Sequence, residues 1–323
     1  MPILVTGGAG YIGSHCAKMA ARHGIEPIVL DNLTTGHQWA VRWGPLVEGD
    51  VGDASLVRRT LREHKIDAVI HFAANCYVGE SVVDPRKYFH NNVVNTLALL
   101  DAVVEAGITS VVFSSSCATY GIPDKIPITE QTRQCPVNPY GESKLFVERM
   151  LHWYGVAYHL RSVALRYFNA AGADPDGELG ERHDPETHLI PLVLDAALGR
   201  KPFVSVYGAD YPTADGTAIR DYVHVTDLAD AHLRALEYLQ AGGPSLALNL
   251  GSETGYSIKE VVSAAERIAG APFPVRFEGR RPGDPPVLIA DCRKAREVLG
   301  WRPQFSGLDT ILETAYRWHC KPA

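Results

Sequence analysis

The sequence predicts an α/β protein, in which a doubly wound parallel sheet is followed by a smaller C-terminal α/β lobe. Two observations predict this fold class. Over the first 170 residues, short β-branched runs alternate with amphipathic helical stretches, which is typical of βαβ units. After Asn169 the pattern changes to a Gly/Pro/Asp-rich stretch over residues 172–185, followed by irregular elements mixed with helices. A chain of 323 residues is long enough for both units.

In chain order, six apolar runs are predicted to be strands, with helices between them. The strands are residues 3–5, 27–30, 46–48, 68–72, 110–114 and 162–165, and the helices include 55–64, 88–106 and 141–154. Right-handed crossovers through the helices make such strands parallel. We place the domain boundary at residue 168, with the sheet domain over 1–168 and the lobe over 169–323. A helix at 227–239 and a strand at 247–250 are candidates to return to the sheet domain, so residues 222–252 are left open.

Composition and charge exclude several classes of protein. Lys and Arg number 31 and Asp and Glu number 37, so the net charge of −6 indicates no general basic surface for nucleic acid or an acidic membrane. The longest uncharged stretch, 17 residues over 107–123, is too polar to span a membrane. No signal peptide is visible, so we expect a cytoplasmic protein. The cysteines lack metal-ligand spacing, and His71 and His224 have no further ligands at such spacing, so no metal is expected.

A glycine-rich turn predicts a dinucleotide site. Directly after the first strand and before a helix come the residues of this turn, Gly7, Gly10, Tyr11, Ile12 and Gly13. Glycines there permit a tight turn and close approach of backbone N–H groups to a pyrophosphate, which the helix N-terminus also favours. The second strand ends at Asp31, which can accept from both ribose hydroxyls and would repel a 2′-phosphate. The first domain is therefore expected to be of Rossmann type and to bind NAD rather than NADP, with Asp50 beside the adenine.

Three polar side chains form a candidate catalytic group. Tyr140 and Lys144 lie four residues apart at the start of a helical pattern, so they share one helix face. A free phenol has a pKa of about 10 and is a poor base at neutral pH, but a neighbouring cation and the positive ring of NAD⁺ both favour the phenolate. Ser116, at the end of the fifth strand, is placed to hydrogen-bond the same substrate hydroxyl. This arrangement predicts proton transfer by Tyr140.

These motifs, with others in both halves of the chain, resemble the extended short-chain dehydrogenase/reductase family and, within it, the UDP-sugar 4-epimerases. The matching stretches are residues 6–15, 31–33, 71–74, 78–81, 91–93, 114–116, 138–144, 165–169, 208–217, 220–225 and 280–284. The resemblance implies reversible C4 epimerisation of UDP-glucose and UDP-galactose through a 4-keto sugar, with tightly bound NAD. Tyr140 would take the proton from the sugar 4-hydroxyl. It also implies a homodimer formed by the helices over 88–106 and 141–154.

The resemblance also implies a set of binding residues. For the cofactor it adds to the glycine turn and Asp31 the residues Asn32, Asp50, Val51, Phe72, Ala73, Ala74, Asn91, Ser114, Tyr140, Lys144 and Tyr167. For the UDP-sugar it implies Ser116, Tyr140, Asn169, His188, Leu189, Tyr207, Arg220, Tyr222, Arg281, Asp284 and Leu288. Arg220 and Arg281 suit the diphosphate, and Tyr207 suits the uracil. Each arginine could instead pair only with Asp221 or Asp284.

Two positions depart from the family, and several alternatives stay open. Cys76 stands where some members have a lysine near the nicotinamide, and Leu288 occupies a gate position beside the sugar C2 substituent, which leaves N-acetyl sugars undecided. A UDP-xylose/arabinose or UDP-glucuronate 4-epimerase would use the same residues. A nucleotide-sugar 4,6-dehydratase is disfavoured because no acid follows Ser116. A non-catalytic dinucleotide-binding protein is disfavoured because Tyr140 and Lys144 are both present.

Overall fold

The structure, a computed structural model, describes residues 1–281 and 283–321. The strands are β1 (Pro2–Thr6), β2 (Glu26–Asp31), β3 (Leu46–Glu48), β4 (Ala68–His71), β5 (Ser110–Ser116), β6 (Arg161–Tyr167), β7 (Asn169–Ala171), β8 (Val204–Tyr207), β9 (Ile219–His224), β10 (Leu246–Leu250), β11 (Gly255–Ser257), β12 (Val275–Glu278) and β13 (Val287–Leu288). The helices are α1 (Tyr11–Arg22), α2 (Ala54–Glu63), α3 (Val78–Val83), α4 (Pro85–Phe89), α5 (Asn95–Glu105), α6 (Pro139–Tyr158), α7 (Leu189–Ala197), α8 (Val225–Gln240), α9 (Ile258–Ala269), α10 (Arg293–Leu299) and α11 (Leu308–His319). A π-helical turn, His90–Val94, joins α4 to α5.

Within the described residues, the larger sheet has seven parallel strands in the order β10-β6-β5-β4-β1-β2-β3. The chain moves outward from β1 to β3, returns to β4 beside β1, and then moves outward in the other direction. This is the doubly wound arrangement, with its switch point between β1 and β4. Each of the six predicted strands is present within two residues of its predicted ends. The predicted fold class is confirmed.

Side chains of the strands alternate between two buried faces of the sheet. Ile3 and Val5 in β1 belong to a hydrophobic cluster formed with α1 and α8, whereas Leu4 between them packs on the opposite face with α2 and α5. All three are fully buried. Because both faces are covered by helices, the strands can be continuous apolar runs, and this is why the sequence shows them so clearly.

The C-terminal lobe contains smaller sheets and its own core. Strand β9 pairs with β7, β11 and β13, and β8 pairs with β12. Helices α7, α9 and α11 pack together around buried side chains that include Val193, Val261 and Ile311. This lobe follows β6 in the chain, and its residues line one cleft together with the glycine turn.

Late in the sequence the chain returns to the large sheet. Strand β10 pairs in parallel with β6, with Leu248 opposite Leu165, and α8 packs against α1. The division of the chain at residue 168 stays a prediction, since elements on either side of it share one sheet. In the part of the chain that the structure describes, no helix has both the length and the apolar character needed to cross a membrane.

Candidate active site

A cleft of about 2250 Å³ lies at the carboxyl ends of the parallel strands, between the large sheet and the C-terminal lobe. Open α/β sheets bind their ligands at this edge, beside the switch point of the strand order. All the residues predicted from the sequence to bind cofactor or substrate line this cleft, except Lys144, which is buried behind it. Pro282, part of the 280–284 motif, lies outside the described residues.

The glycine turn leaves backbone N–H groups of α1 directed at the cleft. Gly10 precedes α1 without any side-chain hydrogen bond to cap the helix. At Gly13 a Cβ would lie 2.3 Å from the Gly7 carbonyl oxygen. At Gly7, whose backbone φ is +70°, a Cβ would lie 2.6 Å from the Ala73 nitrogen. These contacts are with backbone atoms, so only glycine fits at either position. The close packing and the uncapped helix N-terminus suit a pyrophosphate.

Asp31, at the end of β2, is held by the glycine turn itself. Its carboxylate accepts hydrogen bonds from the backbone N–H groups of Ala9 and Leu33, both at 2.9 Å. Burial raises the pKa of Asp31, while these two N–H groups lower it. Farther along the cleft, Asp50 accepts from the side-chain amides of Asn32 and Asn95, both at 2.9 Å. The two carboxylates are thus fixed in place, with lone pairs left for a nucleoside.

The first turn of α6 positions Tyr140. The Asn138 side chain accepts a hydrogen bond from the Gly141 N–H at 2.9 Å, and Pro139 occupies the first helical position, so the helix starts one residue before Tyr140. One turn later, the Lys144 ammonium lies 5.9 Å from the centre of the Tyr140 ring and donates to the Ser114 carbonyl oxygen at 2.8 Å. The structure therefore brings the predicted pair together, with Lys144 beneath the phenol.

Burial shifts the two members of this pair in opposite directions. It raises the pKa of the Tyr140 phenol well above its ordinary value, and the Ser116 hydroxyl counteracts the rise. Burial also lowers the pKa of Lys144 to about 8. The sequence predicted that Lys144 would lower the phenol pKa, but in the structure this pKa is raised, because desolvation by burial dominates.

The strand ends beside Tyr140 supply three further hydroxyls. The Ser116 hydroxyl accepts from the Ala118 N–H at 3.1 Å, so its proton is free to be donated into the cleft. The hydroxyls of Ser114 and Tyr167 are hydrogen-bonded to each other at 2.6 Å. Asn91 reaches the cleft from the π-helical turn, a distortion that is frequent at functional sites.

The residues predicted to hold the nucleotide meet on the opposite wall. Arg220 of β9 forms an ion pair of 2.5 Å with Asp284, and the Arg281 guanidinium stacks 3.9 Å from the centre of the Tyr207 ring. Arg220 also lies beside Leu288, its partner in the β9–β13 pairing. Asn169, Tyr222, His188 and Leu189 line the same wall from β7, β9 and the start of α7.

Sequence reasoning missed one group of side chains in this cleft. Glu181, His183 and Glu186 line it next to the predicted His188, and together they form a compact cluster. The signal was present as acidic and histidine residues in alternation over 181–188. It was hidden by the irregular Gly/Pro/Asp-rich context, in which no periodic element predicts that these side chains converge.

The sheet and cleft define a dinucleotide-binding protein of the Rossmann type that carries a Tyr-x-x-x-Lys pair. The chain belongs to the NAD dependent epimerase/dehydratase family, and the sequence model of that family matches residues 3–251. The resemblance found in the motifs is thereby confirmed.

Individual relatives cover nearly the whole chain. The UDP-glucose 4-epimerase of Rhizobium leguminosarum bv. trifolii is 54% identical over 319 residues, which are 99% of this chain and 97% of that protein. The structure of the UDP-glucose 4-epimerase from Brucella ovis in complex with NAD is 57% identical, with a TM-score of 0.96, over 98% of this chain and 97% of that one. The Bifidobacterium longum enzyme in complex with NAD⁺ and UDP is 39% identical, with a TM-score of 0.93, over 99% and 98%.

Proposed function

We propose that this protein interconverts UDP-glucose and UDP-galactose by reversible epimerisation at C4, through a 4-keto sugar, while NAD stays bound. One observation carries the proposal: a single continuous cleft joins the glycine turn, the Tyr140 hydroxyl and the arginines of the C-terminal lobe. A nucleotide sugar anchored at the arginines can therefore reach both the tyrosine and the cofactor. Relatives that are about half identical over their full length and carry the name UDP-glucose 4-epimerase support this activity.

The residues present fit NAD. The tight turn at Gly7 and Gly13 and the uncapped start of α1 suit its pyrophosphate, and the Asp31 carboxylate suits its adenosine ribose. When bound, NAD supplies the acceptor and donor of the hydride at the sugar C4.

Tyr140 is the residue that we assign to proton transfer. Its hydroxyl would take the proton of the sugar 4-hydroxyl in one half of the reaction and return it to the carbonyl oxygen in the other. The Ser116 hydroxyl, which already accepts from Ala118, would donate to the same oxygen. Lys144 does not line the cleft, so its role is to stabilise negative charge on Tyr140 from behind.

The nucleotide must be held firmly, because the sugar has to present both faces in turn. Arg220 and Arg281 can form charge-assisted hydrogen bonds to the diphosphate. Arg220 is kept in place by Asp284, and Arg281 by its stacking on Tyr207. The exposed face of Tyr207 stays available for uracil, since this side chain is 37% exposed.

We also infer a homodimer, in a cytoplasmic setting. Large apolar side chains are exposed on the surface formed by the π-helical turn, α5 and α6: Val94, Leu97, Phe146, Trp153 and Val156. An apolar surface of this kind on two adjacent helices is typical of a helical subunit interface. All six cysteines are free in the structure, which agrees with a reducing compartment.

The experiment that tests the activity compares substrates. The purified protein is incubated separately with UDP-galactose, UDP-N-acetylgalactosamine, UDP-xylose and UDP-glucuronate, and the C4 epimer of each is quantified against heat-denatured protein. We expect the fastest conversion with UDP-galactose, to UDP-glucose. If the UDP-pentose or the UDP-uronate is converted fastest, that compound replaces the UDP-hexose as the proposed substrate. If no substrate yields a C4 epimer, the proposal is refuted.

A further inference from the structure

A cluster of four side chains lies in the cleft wall apart from Tyr140 and the glycine turn. It is formed by Glu181, His183, Glu186 and His188, and each offers one ligand atom within 4.8 Å of the others. The Nδ1 atom of His183 lies 3.1 Å from Glu181 and 3.7 Å from Glu186, and Nδ1 of His188 lies 2.6 Å from Glu181 and 3.5 Å from Glu186. Four potential ligands thus surround one small volume.

These separations are close to those of a tetrahedral zinc site. With metal–ligand bonds of 2.0–2.1 Å, tetrahedral ligand atoms lie about 3.3–3.4 Å apart. The distance of 3.1 Å from His183 to Glu181 lies within about 0.4 Å of that value, as do the distances of 3.7 and 3.5 Å from His183 and His188 to the Oε2 and Oε1 atoms of Glu186. The fourth, 2.6 Å between His188 and Glu181, is a hydrogen bond that a metal ion would replace.

Three of the four side chains of the cluster are largely buried, and neighbouring residues hold parts of the cluster in place. The side chains of Glu181, Glu186 and His183 are only 5%, 11% and 13% exposed. The backbone around Glu181 is fixed because the Trp318 indole N–H donates to its carbonyl oxygen at 3.0 Å. Glu186 accepts from the backbone N–H groups of Thr187 and His188, both at 2.8 Å. Glu181 and Glu186 are therefore already held in place.

One atom of the cluster has no hydrogen-bond partner. Nδ1 of His183 is buried and, among the described residues, has no partner of suitable geometry, although the Glu181 carboxylate lies 3.1 Å away. Buried polar atoms are normally hydrogen-bonded, so an orphaned one needs an explanation. A bound cation between His183 and the carboxylates would satisfy this nitrogen.

We propose that Glu181, His183, Glu186 and His188 form a binding site for a divalent transition metal of the zinc class. Two neutral imidazoles and two carboxylates balance the charge of one dication. Imidazole ligands suit zinc, cobalt and nickel, whereas magnesium and calcium prefer oxygen ligands alone. Four protein ligands make a closed site, which is the structural rather than the catalytic type. The ion would tie segment 181–188 together beside Tyr77, whose ring packs edge-on against His183.

The test uses tag-free protein with its bound NAD. Zn²⁺ and Mg²⁺ are titrated separately by calorimetry, and Co²⁺ is followed by its visible absorption, which reports tetrahedral coordination. We expect one Zn²⁺ per chain, a tetrahedral Co²⁺ spectrum that Zn²⁺ abolishes, and no comparable binding of Mg²⁺. His183→Gln and Glu186→Gln should each weaken Zn²⁺ binding at least about tenfold.

Two variants control for binding elsewhere on the surface. Asp176→Asn alters the other acidic group, in which Asp174, Asp176 and Glu178 surround the Lys18 ammonium, and His23→Gln removes an exposed histidine. Both should bind Zn²⁺ as the wild type does. Circular dichroism verifies that each variant is folded. If a ligand variant does not fold, His188→Gln replaces it, because the His188 side chain is partly exposed. Equal Zn²⁺ affinity in the wild type and a folded ligand variant, or no stoichiometric binding to the wild type, would overturn the proposal.

Discussion

Desolvation governs the ionisation of the residue pair at the centre of the proposed reaction. The Tyr140 phenol stays protonated because burial raises its pKa, and Lys144 gives up part of its charge near pH 8 because burial lowers its pKa to about 8. Removal of the substrate proton therefore needs a positive charge close to the phenol. Lys144 supplies one, at 5.9 Å from the ring centre, and remains mostly protonated at neutral pH.

Arg281 offers a residue-level test of the nucleotide site. Arg281→Ala should weaken UDP binding by about 1.5–3 kcal/mol, the usual contribution of a hydrogen bond to a charged group. The loss follows because the guanidinium, stacked on Tyr207, faces the cleft. The dissociation constant of UDP, measured by calorimetry, provides the comparison.

The neighbouring arginine is a matched control. Arg280 stacks on Tyr211, 4.4 Å from its ring centre, and pairs with Asp210. These contacts hold the Arg280 guanidinium away from the residues that are predicted to contact the diphosphate. Arg280→Ala should therefore leave UDP affinity nearly unchanged. An Arg281→Ala variant that binds UDP as tightly as Arg280→Ala would remove Arg281 from the site.

At single residues, sequence reasoning was most informative where a role requires a fixed spacing. The i, i+4 pair of Tyr140 and Lys144 and the glycines of the first turn follow from local geometry, so their positions could be anticipated. The stacking of Arg281 on Tyr207 joins residues that are 74 positions apart, and nothing local encodes it. The cluster over 181–188 depends on a loop whose path is set by tertiary contacts such as that of Trp318.

Among the elements, the turn between β1 and α1 has a steric requirement that one substitution can test. In Gly13→Ala the new Cβ would lie 2.3 Å from the Gly7 carbonyl oxygen and 2.9 Å from the Gly8 Cα. Backbone atoms cannot yield by that amount without opening the turn, so the variant should lose bound NAD. The measurement is the NAD released per chain on denaturation of the purified protein.

Gly279→Ala serves as the comparison, since a Cβ there meets nothing within 4 Å. This variant should release as much NAD as the wild type. Wild-type NAD content in Gly13→Ala would show that the turn does not bind the cofactor in the way proposed here.

The apolar surface on α5 and α6 yields a prediction about assembly. Trp153→Glu places a charge on a side chain that is 65% exposed in the single chain and would be buried in the proposed dimer. Burial of an unpaired carboxylate is costly, so the dimer should dissociate. Analytical ultracentrifugation measures the mass, and Ser263→Glu, exposed on α9, should leave it unchanged. A wild type that sediments as a monomer, or an unaffected Trp153→Glu, would contradict this interface.

Elements with a strong hydrophobic period were predictable, and those that depend on partners were not. Strands β1, β2, β4, β5 and β6 of the large sheet are buried over most of their length, so each is visible as a run that contains apolar residues. In contrast, β7, β11 and β13 are two or three residues long and exist only because β9 pairs with them. The long helix predicted over 88–106 contains the π-helical turn at 90–94, a distortion that periodicity alone does not reveal.

For the molecule as a whole, buried contacts join the lobe to the sheet domain close to the cofactor turn. The Tyr11 hydroxyl donates to the Gly172 carbonyl oxygen at 2.6 Å, and the buried Lys18 ammonium pairs with Asp174 at 2.6 Å. Both Tyr11 and Lys18 lie on α1, the helix that follows the glycine turn. The lobe that would hold the UDP-sugar is therefore anchored to the helix that faces the dinucleotide.

Buried neutral histidines should make the folded protein sensitive to acid. Burial lowers the pKa of His15 and His232 to about 4 and that of His71 and His224 to about 3. In the unfolded chain these residues titrate near pH 6.5, so below that pH the unfolded state binds more protons. Stability should fall as the pH drops from 6.5 to 4, by up to about 1.4 kcal/mol per pH unit for each histidine. Urea unfolding at several pH values measures this slope.

A single substitution isolates one of the four histidines. His232→Leu removes a fully buried imidazole whose Nε2 atom has no partner among the described residues, so the slope should decrease by about 1.4 kcal/mol per pH unit. His23→Leu, at an exposed position, should keep the wild-type slope. Identical slopes for the two variants would show that His232 does not titrate differently in the folded and unfolded states.

The most direct test of the proposed reaction is the rate of UDP-galactose conversion by Tyr140→Phe. Removing one hydroxyl eliminates the proposed proton acceptor while the ring keeps its place above Lys144, so turnover should fall roughly 10²–10⁴-fold. UDP affinity and NAD content should match the wild type, and Tyr158→Phe, which changes an exposed tyrosine at the end of α6, should retain full activity. A Tyr140→Phe enzyme that turns over at the wild-type rate would contradict the assignment of proton transfer to Tyr140.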